Sequence, residues 1–297
     1  MAALRQLEQF VVLAEELNFR RAAERLHMSQ PPLSAAIQRL EQETGTALFE
    51  RNRRMVRLTQ AGAVLLEEAR RVLNQARHAI EAARSAGHGL TGMLRLSFVP
   101  SAAYGLLPDI LRTFRAQHPG VRLDLSGATT EQDIAALRRG AIDLALVVPP
   151  LRDAEGITLT PLTSREIVLA VPRTHRLAHR RRVALRQLVD ESFVAFPFSE
   201  GRGYAGAVLA ACQAAGFSPR IAQEAAQMQT VLTLVAGGYG IALVPDAMRA
   251  LHLPDVVYVA VSASGGTPRY PLALAWPNGA ANAAALAFAE IARVSLA

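Results

Sequence analysis

The segment from Phe19 to Gly62 constrains this chain more than any other. It reads Phe-Arg-Arg-Ala-Ala-Glu-Arg-Leu-His-Met-Ser-Gln-Pro-Pro-Leu-Ser, then Ile37-Gln38-Arg39-Leu40-Glu41, Leu48-Phe49, an arginine cluster, and Leu58-Thr59-Gln60-Ala61-Gly62. A short helix is predicted from Phe19 to Leu26, where the small Ala22 and Ala23 let another helix approach closely. Met28-Ser29 makes a turn, and Ser29 suits an N-cap. Pro31 and Pro32 fall in the first turn of the next helix, whose N–H groups lack partners anyway. That helix buries Leu33, Ile37 and Leu40 and stops at Gly45. Leu48 and Phe49 return to the core, and Arg51 to Leu58 can pair as a two-stranded wing. Two short helices, a tight turn and a basic hairpin suit the DNA major groove.

Around this segment the periodicity is helical at first. Leu4, Leu7, Phe10, Val11, Ala14 and Leu17 recur at three- and four-residue steps and predict an amphipathic helix. Thr59 caps a long helix running to about Ala86. Its Leu65, Ala69, Val72, Ala76, Ala79 and Ala83 form a heptad-like seam that favours packing against a second copy, since no neighbouring segment covers it locally. Glycines at 87, 89 and 92 mark a hinge. Beyond it, strands and helices alternate, among them Met93–Val99, Leu106–Gln117, Val121–Leu125, Thr130–Arg139 and Ile142–Val148. This predicts an α/β architecture with parallel sheets.

Composition excludes several classes. Half of the 297 residues are apolar, so a large core is available. No apolar run reaches the ~18–20 residues that a membrane span needs. No secretory leader is evident, and the expected location is the cytoplasm. The single Cys212 excludes an internal disulfide framework and a cysteine-rich zinc site. The net charge of +7 comes from arginine alone, but it is spread out: 9 arginines face 7 acids in residues 1–58, and 19 face 15 in residues 91–297. Within residues 1–58, only Arg51, Arg53, Arg54 and Arg57 cluster tightly.

These motifs together resemble LysR-type transcriptional regulators. The carriers are Ala22-Ala23-Glu24-Arg25-Leu26, Ser29 to Ser34, Ile37 to Glu41, Leu48-Phe49-Glu50-Arg51 and Leu58 to Gly62. In the C-terminal half they are Gly140-Ala141-Ile142-Asp143-Leu144, Ala215-Gly216-Phe217 and Val235 to Pro245. The resemblance implies a winged helix-turn-helix over 1–58 and a linker and dimerisation helix with hinge over 59–91. A two-lobed α/β effector domain of the periplasmic-binding-protein type would follow over 92–297, with lobe I about 92–162 plus 268–297 and lobe II about 163–267. It also implies double-stranded DNA, a small effector, RNA polymerase and further copies of the chain, as dimer or tetramer, as partners. No cofactor is implied.

On the third helix, Ser29, Gln30, Pro31, Ser34, Ala35 and Gln38 would face the groove. Glutamine can pair with adenine, and proline or alanine surfaces can meet thymine methyls. Arg39 reaches a phosphate or pairs with Glu43. Arg51, Arg53, Arg54 and Arg57 suit phosphate or the minor groove. Ala35 and Ala36 stand where family members often carry arginine and a polar residue, so specificity leans more on DNA shape.

In the α/β half, Ser101 and Thr130 follow strands and open helices, a seat for a carboxylate or a plain N-cap. Relatives that sense aromatic-pathway acids bind carboxylate at the matching positions. Phe196-Pro197-Phe198-Ser199 and Gly201-Arg202-Gly203 would line the opposite wall, with Arg202 pairing a second acidic group or lying in a surface loop. The competing readings are a transport binding protein or an enzyme on the α/β half. No nucleophile-base order, metal-ligand cluster or phosphate loop stands out. Gly237 to Gly240 follows a helix and precedes a strand, the reverse of the dinucleotide order.

Overall fold

The computed structural model describes residues 4–51, 55–88, 90–263, 265–279 and 282–296. Contacts divide the chain into two units, Met1–Gly89 with Arg138–Ala141, and Leu90–Leu137 with Ile142–Ala297.

In the N-terminal unit, α1 (Leu4–Glu16), α2 (Phe19–Arg25) and α3 (Gln30–Thr44) enclose Phe10, Leu13, Ala22, Ala23, Leu33, Ile37 and Leu40, all buried. Asn18 caps α2 by accepting from the Arg20 and Arg21 amides. Ser29 stands at the N-cap of α3 with extended backbone but makes no side-chain cap bond. Gly45, at φ 67°, closes the helix. Strands β1 (Phe49–Arg51) and β2 (Val56–Leu58) pair antiparallel with Glu50 opposite Arg57. The Glu41 carboxylate accepts from the Leu48 and Phe49 amides and so anchors the wing to α3.

Helix α4 (Gln60–His88) is capped by Thr59, whose hydroxyl oxygen accepts from the Gly62 amide at 2.9 Å. It continues through Gly87 rather than ending near Ala86. The expected seam is also corrected in part. Ala69 is buried and Leu65 half-buried against the N-terminal core, because α1 packs along the first turns of α4. Val64, Val72 and Ile80 stay exposed.

The second unit has two lobes. In lobe I, β3 (Gly92–Phe98), β4 (Val121–Gly127) and β5 (Leu144–Val147) are parallel. The short α5 (Pro100–Ala103), α6 (Leu107–Gln117) and α7 (Thr130–Arg138) connect them. Side chains alternate along β5: Leu144 and Leu146 enter the core shared with α6 and α10 (Ala283–Val294), while Ala145 and Val147 pack under Ile134 and Leu137 of α7. This is the period of two that a strand covered on both faces requires.

Strand β6 (Ile157–Pro172) then carries the chain into lobe II. There it is followed by β7 (Arg182–Ala184), β8 (Ser192–Ala195), α8 (Arg202–Ala214), β9 (Arg220–Glu224), α9 (Met228–Ala236), β10 (Ala242–Pro245) and β11 (Val256–Ser262). Strand β12 (Arg269–Pro277) returns to lobe I. The sheet order is β4-β3-β5-β12-β6-β11-β7, with β10 also on β6. The predicted parallel sheets are therefore mixed: β12 runs antiparallel to β5 and β6, and β10 and β11 antiparallel to β6. The reason is topological, because β6 and β12 cross between the lobes in opposite directions.

Candidate nucleic-acid interface and ligand cleft

Helix α3 buries one face and offers the other to solvent. Gln30, Ser34 and Gln38 stand four residues apart on that outer face, and Pro31, Ala35 and Arg39 form the adjacent row. All six are exposed except the half-buried Ser34, and Ser29 is exposed at the helix start. Among the described residues no ion pair joins Arg39 to Glu43, which leaves the Arg39 guanidinium available to a phosphate. The other nearby arginines are engaged: Arg20 with Glu24, Arg21 with Glu16, and Arg25 with Glu15 and Glu16. Arg57 is exposed on the wing. Arg53, Arg54 and the Arg51 side chain lie outside the described residues.

The wing is held by a close approach. A Cβ on Gly62 would overlap the Leu48 carbonyl oxygen and come 2.9 Å from Leu58 Cδ2. Glycine at this point lets the first turn of α4 sit directly on the chain entering β1.

In the second unit a narrow cleft opens between the lobes. Its walls are the carboxyl ends of parallel strands, the edge where open α/β sheets bind ligands. Lobe I supplies Val99 and Pro100 after β3, Thr129 and Thr130 after β4, and Val148 after β5. Lobe II supplies Phe196 after β8, Ala226 after β9 and Pro245 after β10, with Met228 and Tyr204 from α9 and α8. Ser101 and Thr130, both buried, therefore meet in one cavity.

Their surroundings differ. Thr129 takes the N-cap of α7: its hydroxyl oxygen accepts from the Gln132 amide, and Gln132 Oε1 accepts from the Thr129 amide. Thr130 Oγ1 instead accepts from the Val148 amide at 3.1 Å, and its O–H remains available to donate. The Ser101 hydroxyl sits beside the buried Tyr270 phenol, whose pKa burial pushes up to about 12. Helix α5 behind Ser101 has only four residues, so the hydroxyl itself, not a helix terminus, is the group it offers.

The opposite wall departs from expectation. Phe198 lies in a neighbouring apolar pocket of about 740 Å³ within lobe II, among Phe193, Val208, Leu209 and Ile221. Arg202 is exposed, with its guanidinium 5.1 Å from the Phe198 ring centroid, and neither it nor Pro197 lines the cleft. Arg202 thus lies on the surface, as its alternative reading had it, but at the first turn of α8 rather than in a loop. Of the expected lobe II segment, Phe196 and Gly201 line the cleft, joined by Glu200, Tyr204 and Met228, which were not anticipated from the sequence. Tyr204 donates to the Leu243 carbonyl and meets Tyr270 edge-on at 5.1 Å. Across the mouth, Gln229 of lobe II donates to the Tyr104 hydroxyl of lobe I at 2.8 Å.

Residues 4–63 match bacterial regulatory helix-turn-helix proteins of the lysR family, and residues 87–297 match the LysR substrate binding domain. The chain belongs to the LysR family. The transcriptional regulator CatR of Pseudomonas putida is 39% identical over 262 residues, 88% of this chain and 89% of that protein. Full-length CbnR complexed with its target DNA has TM-score 0.77 at 28% identity, covering 99% of each chain. The BenM effector-binding domain with its effector benzoate has TM-score 0.60 at 27% identity, covering 69% of this chain and 91% of that one. This LysR-family chain is thus a ligand-responsive, DNA-binding transcription regulator, and its similar proteins are regulators rather than enzymes. No helix among the described residues is long and apolar enough to cross a membrane.

Proposed function

We propose that the interlobe cleft binds a small carboxylic acid and that its occupancy alters how paired copies of the chain hold DNA. The observation that carries this reading is the convergence of the Ser101 and Thr130 hydroxyls, two buried donors with few competing partners, in one cavity at the strand ends. Hydrogen bonds to an ionised acceptor are roughly twice as strong as neutral ones, which favours a carboxylate there.

On the DNA side, Gln30, Ser34 and Gln38 read base edges, Pro31 offers an apolar contact, and Ser29 and Arg39 hold phosphates, with Arg51, Arg53, Arg54 and Arg57 on the wing. The exposed Val72 and Ile80 of α4 suit a second copy. By linkage, an acid that binds the two quaternary states unequally shifts their balance.

A thermal-shift panel of small acids tests the cleft. A ligand at a hundredfold excess over its dissociation constant stabilises by about 2.7 kcal/mol. The shift should appear in the native chain and fall in Ser101→Ala and Thr130→Ala. A shift unchanged in both variants would place the acid elsewhere.

A further inference from the structure

Among the residues lining the cleft, Glu200 is the one acidic side chain. No arginine or histidine lines that cavity. Among the described residues the Glu200 carboxylate makes no ion pair and no hydrogen bond, so nothing there neutralises it. The nearest arginine in sequence, Arg202, is turned out over the Phe198 ring.

Glu200 is also held in place. Its amide donates to the Pro197 carbonyl at 3.2 Å, closing the turn 197–200. The next residue, Gly201, is buried so tightly that a Cβ would stand 2.6 Å from Phe196 Cε1. At Gly203 a Cβ would overlap the Val148 carbonyl oxygen of lobe I. The backbone on the C-terminal side of Glu200 is thus clamped twice, once on an aromatic ring and once across the cleft.

We infer that Glu200 is a specificity-determining residue: it excludes a second acidic group from the effector and favours a monocarboxylate whose far end carries a hydrogen-bond donor, an ammonium or hydroxyl. This rests on the reading that Ser101 and Thr130 seat the first carboxylate. With that seat on lobe I and Glu200 on lobe II, a diacid bridging the cleft would place its second charge near a like charge on an anchored backbone in a half-buried site. A donor at the same point would pair with it.

Titration calorimetry on the full-length chain with three matched probes tests this: benzoate, 3-(aminomethyl)benzoate and isophthalate. The native chain should bind isophthalate about tenfold more weakly than benzoate, the order expected of one like charge at low exposure. It should bind 3-(aminomethyl)benzoate more tightly than benzoate. Glu200→Gln should raise isophthalate affinity about tenfold and abolish the advantage of the amine, with benzoate nearly unchanged. Arg202→Ala should leave all three ratios as they are. Isophthalate binding as tightly as benzoate in the native chain, or ratios unmoved by Glu200→Gln, would overturn the role of Glu200 while leaving the acid seat standing. Absence of binding by all three probes would overturn the acid seat and this inference with it.

Discussion

The Thr130 hydroxyl oxygen accepts a 3.1 Å hydrogen bond from the Val148 amide. This one contact ties the first turn of α7 to the carboxyl end of β5, and it fixes the hydroxyl at the cleft wall. Thr130→Val removes both the acceptor and the donor. It should cost about 1–3 kcal/mol by orphaning a buried amide, and it should lose ligand-induced stabilisation. Thr130→Ser keeps the hydroxyl and should retain most of both. Comparing thermal shifts of the two variants separates the seat from simple packing.

Gly62→Ala probes the wing. The added methyl overlaps the Leu48 carbonyl oxygen, so the chain entering β1 must shift. Overpacking of this kind costs about 1–3 kcal/mol. Urea unfolding should show a lower midpoint, and DNA affinity should fall as the wing is displaced. Effector binding should be unchanged.

Much of the N-terminal unit was legible in the sequence because its signals are local. Ser29, Pro31, Gly45 and Thr59 each mark a helix end through their own backbone chemistry, and Leu33, Ile37 and Leu40 show the core face by spacing. The lobe I side of the cleft was legible through Ser101 and Thr130, which follow strands, and the lobe II side only in part, through Phe196 and Gly201. On the lobe II side, the segment 196–203, which leads into α8, mixes apolar and polar residues without period. Which of them face the cleft is set by the clamps at Gly201, against the nearby Phe196, and at Gly203, against Val148 far off in sequence. The first half of β6 escaped because Thr158, Thr160 and Thr163 flank a proline at 161. The β-branched run of β11, with Val256, Val257, Val259 and Val261, carries a plain strand signal. Leu65 and Ala69 show the converse error: a seam read as a partner surface was partly covered by α1.

The wing and α3 arginines should act through phosphates. Arg39→Ala, Arg53→Ala, Arg54→Ala and Arg57→Ala should each weaken binding across sequences and flatten the slope of log affinity against log salt by about 1. Gln38→Ala should instead alter preference among operator variants while leaving the slope in place. Fluorescence anisotropy over a salt series distinguishes the two behaviours.

Asp133 is buried on α7, and burial pushes its pKa up to about 7, with the Ser97 hydroxyl offsetting part of the effect. The folded state therefore holds this proton more tightly than the unfolded chain does. Its stabilising effect is complete below about pH 4 and is lost as pH rises through about 7. Asp133→Asn should be more stable than the native chain at pH 8, and its melting temperature should vary less between pH 5 and 8. An equal pH dependence in both proteins would place the titration elsewhere.

The Gln229 to Tyr104 hydrogen bond spans the lobes at the cleft mouth. Tyr104→Phe removes it while keeping the ring. Closure should weaken by about 1 kcal/mol, roughly a fivefold loss of ligand affinity. Calorimetry with a probe acid reads this directly.

The central claim is that the cleft governs how the chain holds DNA. Footprinting on upstream operator DNA, with and without an acid shown by thermal shift to bind, tests it most directly. The acid should change the length or phasing of the protected region for the native chain, and Thr130→Val should abolish the change while still binding DNA. A footprint identical with and without a bound acid would contradict it.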